Sequence, residues 1–311
     1  MNSTLLRFDR RVFLKQLLLA SAASAAGVAR LRAAAPGWNE MPIAIFEKVF
    51  EALNYDELAQ AVEQTGADGI EATIRANGHI KPAAAADEVP KMNAALRQRG
   101  RRIMIAATDI RRADDPQSEQ MLRVLKKNGV THYRLGHYQF DLDRPMKQQV
   151  ADFAAQARDL AAMNKSIGIQ GLYQNHSGGR YLGALGWDAS WMLDGIDPDA
   201  LGLALDTRHL MKDTGSSWKT AVAACKPHIR SIYVKDGMWH GPRGDQYKDV
   251  ALDTGFVNAG VFHEIRRGLQ PMPFCLHMEW LGYRVFAKNE IPAAVAAHQR
   301  DIATLRRWIA V

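Results

Sequence analysis

The sequence predicts an α/β fold in which eight parallel strands alternate with helices and close into a (β/α)8 barrel. First, short apolar runs alternate with amphipathic stretches after Pro36, a pattern typical of βαβ units. Second, eight such repeats fit in the chain of 311 residues. Third, one side of nearly every strand is aliphatic, whereas the other is small at the start and polar at the end. An ordinary two-sided parallel sheet would be apolar on both faces.

The predicted strands are short, and most end in polar residues. They cover residues 43–48, 69–75, 103–108, 132–136, 167–176, 201–206, 229–235 and 274–279. Helices are predicted from apolar residues spaced three and four apart, at residues 55–64, 88–99, 117–127 and 146–164. A last helix has Pro292 near its start, where a proline is tolerated. Residues 37–311 are therefore predicted to form one barrel domain.

The sixth strand shows most clearly which side faces the barrel interior. Leu203 and Leu205 point one way and suit a layer of helices, whereas Ala204 and Asp206 point the other way, toward a crowded interior. The same alternation in the other strands predicts an inner lining that contains Lys48, Glu71, Arg75, Thr108, Arg134, Gln174, His176, Asp206, Lys235, His277 and Glu279.

The polar residues of this lining cluster toward the C-terminal ends of the strands, where barrel enzymes place their active sites. The histidines follow the same distribution. Six of the ten lie at or just beyond a strand end: His79, His137, His176, His209, His240 and His277. Asp206 followed by His209 therefore predicts a site after the sixth strand.

The N-terminal segment has a different character. Arg10-Arg11 is followed by Val12 and Phe13-Leu14-Lys15, and then by a short apolar run and small residues. This pattern resembles a twin-arginine export signal, and the apolar run is too short to span a bilayer. An amphipathic helix is the alternative interpretation. We therefore assign residues 1–36 as the signal, and expect a periplasmic protein that meets the twin-arginine translocase and has no stable membrane span.

Charge and cysteine content argue against a nucleic-acid-binding protein and against a fold held together by disulfides. Of the formal net charge of +7, a net charge of +5 falls before Pro36, so the body of the chain is nearly neutral. A nearly neutral body argues against a nucleic-acid partner. The two cysteines, Cys225 and Cys275, are too few for a disulfide framework, and we expect both to be free and buried. A second copy of the same chain, in a homo-oligomer, is also a candidate partner.

Five motifs at the predicted strand ends resemble one known family. They are Gly69-Ile-Glu-Ala-Thr-Ile-Arg75 with Gly78-His79-Ile80 and Pro82, Tyr173-Gln-Asn-His-Ser-Gly178, Leu205-Asp-Thr-Arg-His209, Val234-Lys-Asp236 with Trp239, and Leu276-His-Met-Glu-Trp280. In this order, they make the chain from about Ile43 onward similar to the sugar phosphate isomerase/epimerase family of xylose isomerase-like TIM barrels.

The resemblance implies a divalent metal ion (Mn, Co or Mg) held by oxygen-rich ligands at the barrel top. Asp206 and Glu279 match the family's ligands on strands six and eight. Gln174 stands where a glutamate is expected, and Tyr233 stands where the family has a histidine. His176, His209 or His277 could complete the set. The metal ligands implied here are Gln174, Asp206, Glu279 and His209.

The chemistry implied by the resemblance is removal of a proton next to a carbonyl, with a metal-stabilised enediolate. Glu279 is the candidate base, and His209, His277 or Lys235 is the companion acid. Gln174 cannot accept a proton as a glutamate would, which argues against epimerisation by two bases. It favours isomerisation by one base, or elimination.

Export favours an unphosphorylated sugar as substrate. The candidate substrate-binding residues are Lys48, Glu71, Arg75, His79, Arg134, His176 and Trp239. Three alternatives remain open: a lyase that performs 1,2-elimination on a 3-keto-glycoside, a non-catalytic sugar-binding barrel, and a phosphodiesterase of the same fold, which would need more histidine and glutamate ligands.

Overall fold

The computed structural model describes residues 36–311, in which eight parallel strands form a closed barrel. The barrel strands are β1 (Ile43–Phe46), β2 (Gly69–Thr73), β3 (Ile103–Ala107), β4 (His132–Arg134), β5 (Gln170–Gln174), β6 (Leu201–Asp206), β7 (Ile229–Val234) and β10 (Phe274–Leu276). The order around the barrel is β1-β10-β7-β6-β5-β4-β3-β2. The predicted barrel is confirmed, whereas the predicted export signal lies outside the described residues.

Helices follow the barrel strands and pack around them. They are α1 (Tyr55–Thr65), α2 (Ala85–Gln98), α3 (Pro116–Lys127), α4 (Met146–Ile167), α5 (Trp187–Leu193), α6 (Thr207–Thr214), α7 (Trp218–Cys225), α8 (Ala259–Arg266) and α9 (Ile291–Ile309). Within the described residues, no helix combines the length and the apolar character needed to cross a membrane.

The apolar core has two parts, one on each side of the barrel wall. The larger part lies between strands and helices and includes Leu203 and Leu205. The smaller part fills the barrel interior and consists of Ala44, Met104, Ile105, Leu172, Ala204, Tyr233 and Cys275. The alternation predicted for the sixth strand is therefore confirmed.

All the predicted strands except the sixth extend one to three residues beyond an observed strand end, and two of these differences have a clear structural cause. The fifth strand does not begin at residue 167, because α4 continues to Ile167 and ends at Gly168, whose φ of 76° suits a glycine. The first strand stops at Phe46, and a 3₁₀ helix, Glu47–Phe50, follows it. Alternation ends there, so Phe46 instead of Lys48 reaches the cavity at the barrel mouth.

A β-hairpin that the sequence analysis missed leaves the end of β7. It consists of β8 (Asp236–His240) and β9 (Gln246–Val250), paired antiparallel. The Asp236 carboxylate fixes its base by accepting hydrogen bonds from the backbone N–H groups of Gly237, Thr254, Gly255 and Val257.

Candidate active site

A polar cavity lies at the C-terminal ends of the barrel strands. Its lining residues are Phe46, Arg134, Gln174, His176, Ser177, Arg208, His209, Lys235, Asp249, His277, Glu279 and Tyr283. Most of them occupy the last position of a barrel strand or the first residues after it. The barrel thus brings side chains that are distant in sequence to one end, where enzymes of this architecture carry out their chemistry.

The buried carboxylate of Glu71 organises the floor beneath this cavity. Its Oε1 accepts hydrogen bonds from Arg134 Nε at 2.6 Å and from the Tyr233 hydroxyl at 2.7 Å. Its Oε2 lies 2.9 Å from Nε2 of His277. Burial alone would raise the pKa of the Glu71 carboxyl, but the Arg134 guanidinium and the hydrogen bonds from His277 and Tyr233 outweigh it and hold that pKa well below its usual range.

Glu71, Cys275 and His277 place metal-ligand atoms within 4.8 Å of one another. The surroundings of this triad do not favour a metal ion, because both oxygens of the Glu71 carboxylate already accept hydrogen bonds. Oε1 accepts from Arg134 and Tyr233, and Oε2 accepts from the Cys275 thiol at 3.7 Å. Burial, with the nearby Glu71 charge, raises the pKa of the Cys275 thiol well above its usual value. The Cys275 sulfur therefore carries its proton in this setting, and a metal ion would have to displace that proton to bind.

The ammonium of Lys235 lies between two carboxylates above this floor. Its Nζ is 3.3 Å from Asp206 Oδ2 and 3.1 Å from Glu279 Oε1. Lys235 is 4% exposed and Asp206 is fully buried, so the group is shielded from bulk water. Three of the predicted site residues from strands six, seven and eight therefore form one ion-pair cluster.

Gln174 connects this cluster to Arg134. Its Nε2 donates to Asp206 Oδ2 at 2.7 Å, and its Oε1 accepts from Arg134 Nη1 at 2.7 Å. Because guanidinium only donates and carboxylate only accepts, these partners determine which end of the amide faces each of them. The amide oxygen therefore points toward the arginine, away from the aspartate.

His209 and His176 are neutral and lie against each other, with ring centroids 4.0 Å apart. Burial, helped by the nearby Lys235 charge, lowers the pKa of His209 well below its usual value and that of His176 to about 4. Nδ1 of His209 lies 2.9 Å from Arg208 Nη1, which can only donate. The ring proton of His209 is therefore on Nε2, which has no hydrogen-bond partner among the described residues and lies 3.8 Å from Asp206 Oδ2.

Glu279 is ionised in this setting. Burial alone would raise the pKa of its carboxyl, but the charge of Lys235, the neighbouring His277, whose Nδ1 lies 3.6 Å from Oε1, and the charge of Arg208 outweigh it and hold the pKa well below its usual range. Phe46 stacks on the His277 ring, with centroids 4.6 Å apart, and forms an apolar wall of the cavity.

Five lining residues were missed by the sequence analysis: Phe46, Ser177, Arg208, Asp249 and Tyr283. Ser177 and Arg208 lie inside the quoted motifs, so a reading of every motif position would have found them. Asp249 belongs to the hairpin, and only recognition of the turn at Gly241-Pro-Arg-Gly244 would have indicated its position.

Several predicted substrate-binding residues lie outside the cavity lining. Lys48 is 3.9 Å from Glu51 and stands over the Tyr283 ring. His79 is 3.1 Å from the buried Glu47.

Arg75 and Trp239 also lie away from the lining. Arg75 stands over the Phe46 ring, and Trp239 is 45% exposed on the hairpin. Glu71 and Asp206 lie beneath the lining, whereas Arg134, Gln174, His176, His209, Lys235, His277 and Glu279 form part of it. Cys225 and Cys275 are free and buried, as predicted.

The family assignment follows from the sequence of the barrel domain. The family model described as "Xylose isomerase-like TIM barrel" matches residues 59–308. The chain therefore belongs to the xylose isomerase-like TIM barrel family. No curated protein matches it significantly.

Solved structures of low sequence identity share the fold. The apo 3-keto-D-glucoside 4-epimerase from E. coli has a TM-score of 0.62 and 15% identity, covering 86% of this chain and 100% of that chain. A xylose isomerase-like TIM barrel protein from Mycobacterium smegmatis, in complex with magnesium, has a TM-score of 0.64 and 16% identity, covering 88% and 99%. The IOLI protein with a bound zinc atom has a TM-score of 0.67 and 13% identity, covering 87% and 98%. Metal-bound structures therefore occur among proteins of this fold.

Proposed function

We propose that this chain is an exported enzyme that removes a proton from the carbon next to a carbonyl group of an unphosphorylated sugar. The observation that carries the proposal is the contact between a carboxylate, Glu279, and an ammonium, Lys235, at the lining of one cavity. A base beside a hydrogen-bond donor is the arrangement that enolisation requires. The fold shared with a sugar epimerase supports the substrate class.

The proposed step begins when the C–H bond breaks and its proton passes to Glu279. The electron pair moves through the new carbon–carbon double bond onto the carbonyl oxygen. Lys235 and the Nε2–H of His209 are the donors available to that oxygen as its negative charge develops. A carbonyl oxygen that displaces part of the Lys235–Glu279 contact would raise the pKa of Glu279 and make it a stronger base.

The charges around the cavity support an unphosphorylated substrate. Arg134 pairs with Glu71, and Arg208 pairs with Asp249. Lys235 pairs with two carboxylates. All three lining arginines and lysines thus have a partner, whereas a phosphate group would need free cations.

A second outcome of the same step is elimination, as in a 3-keto-glycoside lyase. The observation that favours elimination is that neither of the two neighbouring groups can act as a second base. Gln174 carries an amide instead of a carboxylate, and Asp206 is buried beneath Lys235. With Glu279 as the accessible base, the enolate can regain its proton on the neighbouring carbon or lose a leaving group.

NMR in D₂O tests the proposal. We expect the purified protein to exchange the hydrogen next to the carbonyl in a free ketose or a 3-keto-glucoside, and the product identifies isomerisation or elimination. Glu279→Gln should abolish exchange while the circular dichroism spectrum stays unchanged. The matched control is Glu119→Gln, an exposed position on α3, and this variant should catalyse hydrogen exchange at the wild-type rate. Absence of exchange with every keto sugar would instead indicate the sugar-binding alternative, and full exchange by Glu279→Gln would remove Glu279 from the mechanism.

Export through the twin-arginine translocase is the second part of the proposal and rests on the Arg10-Arg11 motif. Fractionation of a bacterial host that has this translocase tests it. We expect the wild-type protein in the periplasm and the variant with Arg10→Lys and Arg11→Lys in the cytoplasm. Replacement of Arg30 and Arg32 by lysine is the matched control. Export of the first variant at the wild-type level would contradict the proposal.

A further inference from the structure

We infer that the ammonium of Lys235 takes the position of the divalent cation in this barrel, so that the site works with a lysine charge and does not bind a metal ion. This inference deepens the proposed function, because it names the group that stabilises the enolate oxygen. Its geometric basis is nevertheless independent of the substrate.

The position of the ammonium is the first argument. The family resemblance assigns metal ligands to the ends of strands six and eight, which are Asp206 and Glu279 here. Lys235 Nζ lies within 3.3 Å of Asp206 Oδ2 and of both carboxylate oxygens of Glu279. A divalent cation that bound both carboxylates would lie next to the ammonium, and the two positive charges would repel each other in a site shielded from water.

The remaining neighbours of Asp206 supply hydrogen atoms where a metal would need lone pairs. Gln174 turns its amide N–H toward Asp206, and its oxygen accepts from Arg134. His209 has its ring proton on Nε2, the nitrogen nearest to Asp206, while Nδ1 contacts Arg208 and Ser177.

The neighbours of Glu279 are of the same kind. Arg208 Nη2 lies 3.7 Å from Glu279 Oε2. The family's histidine position on strand seven is occupied by Tyr233, whose hydroxyl donates to Glu71 below the cavity. The two carboxylates are thus surrounded by donors, a set that suits an ammonium and leaves a metal ion short of ligands.

Removal of the lysine charge provides the direct test, with Mn²⁺ as the probe. Lys235→Ala leaves Asp206 and Glu279 without their shared cation, so these two carboxylates should attract Mn²⁺, with water molecules supplying the ligands that the neighbouring donors cannot. By isothermal titration calorimetry and electron paramagnetic resonance, we expect no saturable Mn²⁺ binding to the wild-type barrel. We expect one site in Lys235→Ala, at least about tenfold tighter than any wild-type binding. Adding Gln174→Glu should tighten it further, since a third carboxylate is supplied.

Two further variants keep the test decisive. Lys235→Arg retains a cation and should bind no Mn²⁺, and Lys212→Ala, outside the cavity lining, should behave as the wild type. If Lys235→Ala does not fold, the wild-type and Lys235→Arg titrations still decide. Stoichiometric Mn²⁺ binding by the wild type or by Lys235→Arg would overturn the inference. A folded Lys235→Ala that binds Mn²⁺ no better than the wild type would also overturn it.

The activity measurement separates this inference from the proposed function. We expect wild-type deuterium exchange to persist after dialysis against EDTA. Exchange that is lost with EDTA and restored by Mn²⁺ would overturn the lysine inference and leave the enolising function intact. Absence of exchange together with absence of Mn²⁺ binding would contradict the function and leave the lysine assignment standing.

Discussion

Arg208 and Asp249 connect the first turn of α6 to the hairpin, with Nε donating to Oδ1 at 2.6 Å. Arg208 is buried, and the Asp249 side chain is 25% exposed. The same guanidinium contacts Nδ1 of His209 and lies near Glu279. The hairpin therefore neutralises an arginine that also determines the orientation of the proposed machinery.

Asp249→Asn should destabilise the protein by about 1–3 kcal/mol, below the usual cost of breaking a fully buried pair because Asp249 is partly exposed. The arginine should then interact more strongly with Glu279 and weaken it as a base, so deuterium exchange should slow. Urea unfolding and the NMR exchange rate measure the two effects. The control is Asp245→Asn, whose partner Arg243 is largely exposed. Equal stability of the two variants would contradict the assigned role of Asp249.

Glu71→Gln should cost about 3–5 kcal/mol of unfolding free energy, because Arg134 would remain buried without its counter-charge. The amide would also replace one carboxylate oxygen by an NH₂ group. Tyr233 or His277 would then face a donor where it now has an acceptor. Urea denaturation measures the loss. Glu119→Gln is the matched surface control, and a change within about 0.5 kcal/mol is expected there. A Glu71→Gln variant as stable as that control would show that the floor network contributes little.

His298 should make the protein less stable in weak acid. Burial lowers the pKa of this fully buried histidine to about 4, and its Nδ1 lies 2.8 Å from the Ala294 carbonyl oxygen. The unfolded chain takes up the proton near pH 6.5, so stability is retained above that pH. It falls as pH drops toward 4, by up to about 3 kcal/mol.

Comparison of wild type with His298→Leu isolates this contribution. Unfolding free energy measured by urea at several pH values between 4 and 7 should fall less steeply in the variant, whatever its stability at pH 7. Parallel curves for the two proteins would show that His298 does not contribute to the acid sensitivity.

Gly202→Ala should destabilise the barrel by about 1–3 kcal/mol through overpacking. A Cβ at this position would lie 2.6 Å from Arg230 Cγ, 2.8 Å from the Pro198 carbonyl oxygen and 2.9 Å from the His228 carbonyl oxygen. The Arg230 side chain can move aside, but movement of the two carbonyl oxygens would require a shift of the backbone. Thermal unfolding should show the loss, and Gly179→Ala, where a Cβ meets nothing within 4 Å, should not. An unchanged melting temperature for Gly202→Ala would contradict the close packing.

Strand alternation predicted the barrel and much of its lining because the two-residue period is local and strong. Lys235, His277 and Glu279 were placed on the inner side of their strands from the sequence alone, and they line the cavity. The prediction failed where alternation stopped, as at Lys48, because a 3₁₀ helix turns by a different period.

The ion-pair cluster could not be predicted, because it depends on distances between strand ends that are far apart in sequence. Lys235 contacts a residue 29 positions earlier and another 44 positions later. Sequence places these residues on one lining, but the register of neighbouring strands determines that Lys235 reaches both carboxylates. The hairpin was missed because its second strand, β9, is mostly polar and, within residues 36–311, pairs with β8 alone.

Asp206 performs two tasks with its two oxygens. Oδ1 accepts the backbone N–H of His209 and caps α6, while Oδ2 contacts Gln174 and Lys235. Loss of the cap would loosen the turn that presents Arg208 and His209. Helix capping therefore gives Asp206 a structural role that requires no metal ion, and an aspartate at the end of strand six does not by itself identify a metalloenzyme.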